Sequence, residues 1–170
     1  MKEDIRNMYD DYVRTYINGE LINEGHNDIL TLGRNLIADR FKGRANVSGI
    51  DTANAFIAVG YGSGTTTAGM ETLQAEAPAG SIGRTLIGST FRPVTGSTLY
   101  ITAWFYNSGG LGPIREYGLF TTGYDNDEVT IKTCSGIPDA GVLVARSVKD
   151  VVTHTSGAGD SLTVEWRITL

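Results

Sequence analysis

An acid and a base stand side by side in an apolar run of the sequence, and they are the groups best suited to chemistry. Arg115 and Glu116 lie within residues 114–120, a segment bounded by Gly112, Pro113 and Gly123. Breakers at both ends of a short apolar run favour a strand. Alternation would place three apolar-face residues on the side of Glu116, namely Ile114, Gly118 and Phe120, and would point Arg115, Tyr117 and Leu119 the other way. A carboxylate on an apolar face needs an Arg partner or backbone donors, so Glu116 is predicted to form a structural ion pair rather than to act in catalysis.

Other chemical motifs are incomplete. His26 and His154 stand in no metal-binding spacing, and the acids at 125–128 lack the distal Glu of a calcium loop. The Gly-rich stretch at 60–67 follows an apolar run but matches neither nucleotide-binding fingerprint. No G-x-S-x-G elbow is present. We therefore predict no catalytic residue, no cofactor and no metal site, and a protein that is not an enzyme.

Composition indicates a mainly β protein without a basic surface. The chain has 170 residues, 22 of them Gly, and a formal net charge of −5. That charge disfavours nucleic acid as a partner. The single cysteine, Cys134, excludes an intrachain disulfide. The N-terminus has no secretory pattern and no apolar run approaches the length of a membrane span, so a soluble product without a membrane partner is expected.

Two elements are predicted before the main run of strands. Residues 12–17 and 20–22 flank Asn18 and Gly19, the strongest short hairpin signal, although five residues at helical spacing leave an opening helix as the alternative: Ile5, Met8, Tyr9, Tyr12 and Tyr16. A helix over 27–42 is predicted from an apolar stripe, with Asn27 as N-cap and Gly43 just past its end. That stripe consists of Ile29, Leu32, Leu36, Ile37 and Phe41.

Six further segments are predicted strands, at 55–59, 82–94, 98–106, 114–121, 142–152 and 162–170. The last alternates strictly between apolar and polar residues, as expected of a strand with one buried face. The predicted fold is an antiparallel, jelly-roll-like β-sandwich with one N-terminal helix packed on it. Residues 1–25 are assigned to an N-terminal arm or hairpin, and residues 26–170 to a single sandwich domain.

The order of these segments resembles a group of small structural proteins of tailed bacteriophages. The shared pattern comprises His26-Asn27 with Gly33 to Ala38, Ile57-x-x-Gly60-x-Gly62, Thr72-Leu73-x-x-Glu76, Ile114-x-Glu116-x-Gly118-Leu119-Phe120, Leu143-x-Ala145-Arg146 and Val164-x-Trp166-x-Ile168. The resemblance covers residues 26–170. It implies a non-enzymatic virion component, assembled in the host cytoplasm, that decorates the capsid or belongs to the tail, neck or fibre. Other virion proteins, capsid or tail and neck subunits, are then the expected partners.

Within that interpretation, two sets of residues receive roles. Glu116 and Arg146 are predicted to form an inward, bidentate ion pair that fixes strand register. Four tyrosines are candidates for an interface: Tyr9, Tyr12, Tyr16 and Tyr106. Because oligomers bury strand edges, a homo-oligomer, as a trimer or ring, is expected.

Two other functions remain open. A carbohydrate- or surface-binding module would stack sugars on exposed aromatics such as Tyr61, Tyr106 and Tyr124. An enzyme whose site is assembled from distant acids would need a pocket that brings those acids together.

Overall fold

A computed structural model describes residues 11–43, 50, 55–77, 84–91, 98–106, 113–121, 141–153 and 161–169. They form ten strands and one helix, in chain order β1 (Tyr12–Ile17), β2 (Glu20–His26), β3 (Asp28–Ile29), α1 (Thr31–Phe41), β4 (Ala55–Gly60), β5 (Arg84–Leu86), β6 (Ser89–Phe91), β7 (Thr98–Tyr106), β8 (Pro113–Thr121), β9 (Val142–Thr153) and β10 (Ser161–Thr169). The mainly β composition predicted from the sequence is confirmed.

The strands make two five-stranded antiparallel sheets. Sheet 1 has the order β2-β1-β10-β7-β6, and sheet 2 has the order β3-β9-β8-β4-β5. The chain passes from one sheet to the other after β2, β5, β7 and β9, so each sheet contains segments from both ends of the sequence. In sheet 1, the first of the described strands pairs with the last, β1 with β10. This is the predicted β-sandwich with one helix.

Side chains from both sheets fill one apolar core. Trp166 and Ile101 of sheet 1 and Ile57, Tyr117 and Leu119 of sheet 2 are fully buried members of the same cluster. Along β10, buried residues alternate with half-buried ones, as the strict alternation of that segment predicted. Burial of this many large side chains is the main source of the sandwich's stability.

The N-terminal hairpin forms as predicted but belongs to the sandwich. Asn18 and Gly19 have φ values of 51° and 85°, the left-handed conformations that a two-residue hairpin turn requires. β1 lies between β2 and β10 and pairs with β10 through all six of its residues. The boundary drawn at residue 25 is therefore corrected, because residues 12–25 are an interior strand and edge strand of sheet 1. The helical alternative is wrong for Tyr12 and Tyr16; residues 1–10 lie outside the described part.

The helix starts later than its capping signal indicated. Asn27 is not the N-cap, because its side-chain amide donates to the Arg167 carbonyl oxygen at 3.0 Å and the next two residues pair with β9. Gly43, with φ at 69°, follows the end of the helix as predicted. Gly33 packs directly on the backbone of Val144 in β9, where a Cβ would collide. Phe41, placed in the predicted apolar stripe, is instead exposed.

Within the predicted strand at 82–94, the described residues 84–91 form two short strands in different sheets. The break falls at Ile87 and Gly88, whose amides donate to Ala55 of β4 at 3.0 Å and to Thr102 of β7 at 2.7 Å. Sequence alternation could not reveal this break, because a chain that bends from one sheet to the other keeps β-type residues on both sides of the bend.

Candidate functional site

A loop that follows β4 covers the outer face of sheet 2. This segment, residues 61–77, is called the covering loop. It leaves β4 and returns beside it, since the Tyr61 amide donates to the Ala75 carbonyl at 2.8 Å and the Ala77 amide to the Val59 carbonyl at 2.9 Å. Leu73 of the loop is buried in a second apolar cluster with Phe120 and other residues of sheet 2. The outer face of sheet 2 is therefore interior, which explains why every residue of β4 is buried.

The Glu116 carboxylate binds the covering loop by accepting hydrogen bonds from its backbone amides. Its Oε1 accepts hydrogen bonds from the amides of Gly62 at 3.0 Å and Ala75 at 2.7 Å. Its Oε2 accepts from the amide of Gln74 at 3.1 Å and from Arg146 Nε at 3.0 Å and Nη2 at 2.7 Å. These donors saturate the roughly four lone-pair sites of a carboxylate. The side chain is 0% exposed.

Arg146 completes the connection through its remaining nitrogen. Nη1 donates to the Gly64 carbonyl at 3.0 Å and to the Thr66 hydroxyl at 3.1 Å, and it lies 3.7 Å from the Met70 sulfur. The guanidinium is 0% exposed. Arg146 and Glu116 thus bind three parts of the covering loop to two neighbouring strands, an arrangement we call the clasp.

The structure brings Glu116 and Arg146 together, with a geometry that differs from the predicted one. Arg146 Nε and Nη2 both donate to the same oxygen of Glu116, Oε2, so the pair is not the predicted bidentate fork. The two residues are diagonal neighbours, because Arg146 lies opposite Gly118 in the register of β8 and β9. The predicted face of β8 is corrected at Ile114: a register shift before Glu116 places Ile114 in the core between the sheets.

Gly60 at the end of β4 and Gly62 in the covering loop allow this close approach. A Cβ on Gly60 would lie 2.6 Å from the Ala75 carbonyl oxygen, and one on Gly62 would lie 2.5 Å from Glu116 Oε1. The Gly-rich sequence resembled a phosphate-binding loop, and its backbone does present amides to an anion. The anion is the protein's own Glu116 carboxylate.

A second ion pair, not anticipated from the sequence, fastens the end of the covering loop. Arg84 of β5 forks onto Glu76, with Nε 2.5 Å from Oε1 and Nη2 2.8 Å from Oε2. Its guanidinium also lies 3.8 Å from the centre of the Phe120 ring. The two charged side chains are 1% and 2% exposed. The only sequence signal was Glu76 in the quoted Thr-Leu-x-x-Glu segment, because Arg84 comes near it only after β5 pairs with β4.

The outer face of sheet 1 carries polar and aromatic side chains that remain in contact with solvent. Arg14 pairs with Glu24, lies 3.8 Å from Glu165 Oε1, and sits 4.1 Å above the Tyr12 ring. The Tyr12 hydroxyl donates to Glu165 at 3.3 Å. Partial burial, together with the Glu165 charge, raises the pKa of Tyr12. Tyr12 is therefore tied into a side-chain network rather than extended from a free arm.

The remaining predicted site residues are placed as follows. Tyr16 is half-buried on β1, and Tyr61 packs against the core between the sheets instead of standing open to a sugar. Tyr106 lies on β7; its side chain and the residues Tyr9, Tyr124, Cys134 and His154 lie outside the described part, as do the acids at 125–128. His26 is exposed at the end of β2. Among the described residues, no group of three or more potential metal ligands forms, and no helix is long and apolar enough to cross a membrane.

Trp104 is a large aromatic side chain on the outer face of sheet 1. It is 54% exposed on β7 and lies over Gly88, where any side chain would collide with the indole ring. Thr163 of the neighbouring strand β10 lies directly opposite Trp104. The strand's alternation contained the signal, since Ala103 and Phe105 face the core and Trp104 must then face outward.

Inside the sandwich, Tyr117 is the buried titratable group that faces away from the clasp. Burial raises the pKa of Tyr117 to about 12, and the Thr15 hydroxyl of sheet 1 offsets part of that increase. β8 thus carries a buried acid on its outer side and a buried phenol on its inner side.

Comparison of the chain with protein-family models, with curated proteins and with solved structures finds no match. The resemblance to phage structural proteins therefore stays a prediction. Independently of it, four of the quoted segments meet in one place, because Gly62, Glu76, Glu116 and Arg146 all belong to the clasp or to the ion pair beside it.

Proposed function

We propose that this protein is a non-enzymatic structural component of a tailed bacteriophage virion, a capsid-decorating or tail-, neck- or fibre-associated protein. It would act by oligomerising, as a trimer or ring, and by docking on neighbouring virion proteins. The observation that supports the proposal is the clasp, in which the acid best suited to chemistry is fully enclosed and saturated with hydrogen bonds.

A general acid or base must reach the proton that it transfers. Glu116 could do so only if the covering loop lifted, which would break three backbone hydrogen bonds to its carboxylate and expose a buried charge. The clasp has a structural effect: it attaches a 17-residue loop, residues 61–77, to the sheet through side chains from two strands. A rigid surface of this kind suits a subunit that must keep its shape within an assembly.

The test is incorporation into particles. Particles released from cells that carry the gene are purified on a density gradient, and the chain is quantified by mass spectrometry relative to the major capsid protein. A fixed copy number and a density that cryo-electron microscopy assigns to this fold are expected. Abundant protein in the lysate with none in the particles would contradict the proposal.

A matched pair of variants sharpens this experiment. Arg146→Met removes the clasp, whereas Arg14→Ala changes an arginine of the outer face of sheet 1. Loss of incorporation for the first and retention for the second would connect the rigid covering loop to assembly. Equal incorporation of both variants would show that assembly does not depend on the clasp.

Trp104 favours a second candidate, a carbohydrate-binding module. A half-exposed indole beside the hydroxyl-bearing Thr163 offers a sugar ring a stacking surface and polar contacts. Under this alternative, a saccharide array would raise the thermal unfolding midpoint of the wild-type protein and leave that of Trp104→Ala unchanged. Absence of any saccharide-dependent shift would remove the candidate.

A further inference from the structure

A row of side chains crosses the outer face of sheet 1. Leu21 of β2 lies opposite Tyr16 of β1, Tyr16 lies opposite Thr163 of β10, and Thr163 lies opposite Trp104 of β7. Cross-strand partners point to the same face, and Trp104 points outward, so the whole row does. Leu21 is 49% and Trp104 is 54% exposed, and Tyr16 is half-buried. The row is therefore an apolar strip that remains open to solvent.

The middle of this row is its lowest part. Thr163 is small, and Tyr16 and Trp104 stand on either side of it, about two strand spacings or roughly 10 Å apart. The indole of Trp104 leans away from β10, because it covers Gly88 on the far side of β7. The gap above Thr163 is therefore wide enough to admit one aromatic ring. We call Tyr16, Thr163 and Trp104 the socket.

Phe41 is an exposed aromatic ring on the other side of the sandwich. It is the last residue of α1 and is 81% exposed. The helix packs on sheet 2, where Gly33 touches the backbone of Val144 in β9. The other large hydrophobic residues that the described part exposes all lie on sheet 1, namely Leu21, Ile22 and Trp104. An exposed phenyl ring gains free energy from an apolar surface that can enclose it.

Opposite charges accompany the ring and the socket. Lys42 follows Phe41, and its side chain is 75% exposed. Beside the socket, Glu24 and Glu165 both lie next to Arg14, so two carboxylates face one guanidinium. Because the whole chain has a net charge of −5, copies repel each other in most orientations. An orientation that brings Lys42 to the excess carboxylate is favoured over these.

We infer that the socket of one copy of this chain receives Phe41 of the next copy. The ring and the socket lie on different sides of the sandwich, so the contact is head-to-tail. Head-to-tail contacts form closed rings when the rotation between neighbours allows it. The inference rests on the proposed function for its biological meaning, because it names the two surfaces through which the subunits of a trimer or ring associate.

A single contact of this kind is small. It buries less than the roughly 1,200 Å² of a standard interface. We therefore expect weak association of the free protein, about micromolar to millimolar. The contact that closes a ring forms within one assembly, at a high effective concentration. Closed rings should therefore be favoured over open chains.

The experiment is sedimentation velocity of the full-length protein over a concentration series up to about 1 mM. Reversible oligomers are expected. Phe41→Lys and Trp104→Lys should each weaken association about thirtyfold or more, because each removes an aromatic residue from the centre of the contact. Thr72→Lys is the control: it makes the same change in charge at an exposed position of the covering loop and should leave association unchanged.

A mixture of the two variants tests the head-to-tail geometry. Phe41→Lys keeps an intact socket, and Trp104→Lys keeps an intact phenyl ring. An equimolar mixture should therefore form a heterodimer with one contact that cannot grow further. A two-fold contact between two sockets would instead leave Phe41→Lys fully associated. Both positions are exposed, so the variants should fold, as circular dichroism will verify.

Lys42→Glu tests the contribution of charge. It places a third carboxylate near Glu24 and Glu165 and should weaken association about two- to fivefold at low salt. The difference from wild type should shrink when salt is added, because exposed charges are screened.

The outcomes are distinct. Association that is lost in both single variants and restored in their mixture supports the inference. A protein that stays monomeric up to about 1 mM overturns it. Oligomers that survive either Phe41→Lys or Trp104→Lys also overturn it, because association then uses another surface. Each of these failures leaves particle incorporation, the test of the proposed function, unaffected, since docking on other virion proteins does not require this contact.

Discussion

The outer faces of the two sheets use the same charged groups in opposite ways. On sheet 2, Arg146 and Glu116 are 0% exposed beneath the covering loop. On sheet 1, Arg14 and Glu24 are 34% and 47% exposed and share their surroundings with water. Desolvation makes a buried charge costly to leave unpaired, while an exposed pair can exchange its partner for solvent. The buried pair therefore fixes a structure, and the exposed pair leaves a face open for contact.

Removing the base of the clasp should have the largest effect. Arg146→Met leaves the Glu116 carboxylate buried with only its backbone donors and is expected to lower the free energy of unfolding by about 3–5 kcal/mol. Urea denaturation monitored by tryptophan fluorescence measures this loss. A loss below about 1 kcal/mol, or unchanged stability and assembly of Glu116→Gln, would show that the pair has no structural role.

High pH should destabilise the protein through Tyr117, the buried phenol on the inner side of β8. The folded pKa of Tyr117 is raised to about 12 from 10.0. The unfolded chain therefore loses this proton first, so stability is intact below pH 10 and falls as the pH rises toward 12. The expected loss is about 2–3 kcal/mol, since each pKa unit corresponds to roughly 1.4 kcal/mol. The difference between wild type and Tyr117→Phe across this range isolates the contribution of this one phenol; equal pH dependence in the two proteins would contradict it.

Crowding the covering loop should cost somewhat less. Gly62→Ala introduces a Cβ at 2.5 Å from Glu116 Oε1 and 2.6 Å from the Gln74 Cβ, so the loop must shift. We expect a loss of about 1–3 kcal/mol in urea unfolding. Gly69→Ala, in the same loop with open space around it, is the control and should be neutral or slightly stabilising. Equal stabilities of the two variants would mean that the close approach at Gly62 is not needed.

The exposed network on sheet 1 should give the smallest change. Arg14→Ala breaks the contacts with Glu24 and Glu165, and the expected loss in unfolding free energy is about 0–1 kcal/mol. Added salt should reduce the difference further, because exposed charges are screened. A loss comparable to that of Arg146→Met would remove the contrast between the two faces.

Sequence reasoning succeeded where local patterns carried the information. The bounds of β7 were predicted to the residue, and β8 and β10 to within one at each end, because breakers and alternation define them. The turn at Asn18 and Gly19 was found because few residues other than these adopt left-handed conformations readily. Asn27 misled the prediction of the helix start, since its side-chain amide donates to the Arg167 carbonyl and the next two residues pair with β9 before the helix begins.

The candidate site was predictable only in part. Glu116 could be singled out as an acid in an apolar strand, and Arg146 as a base in another, which sufficed to suggest the pair. The covering loop could not be foreseen, because its return to β4 depends on Glu116 binding Gln74 and Ala75 some 40 residues away in sequence, at separations of 42 and 41. No hydrophobic period marks such a segment, so only the folded arrangement shows its path.

Because β1 pairs with β10, the hairpin of β1 and β2 can take its place in sheet 1 only after residues 161–169 have been synthesised. Contacts between distant parts of a chain form slowly, and unpaired strands invite misassembly while they wait. A polypeptide that stops before residue 161 would therefore lack the strand that joins β1 to β7.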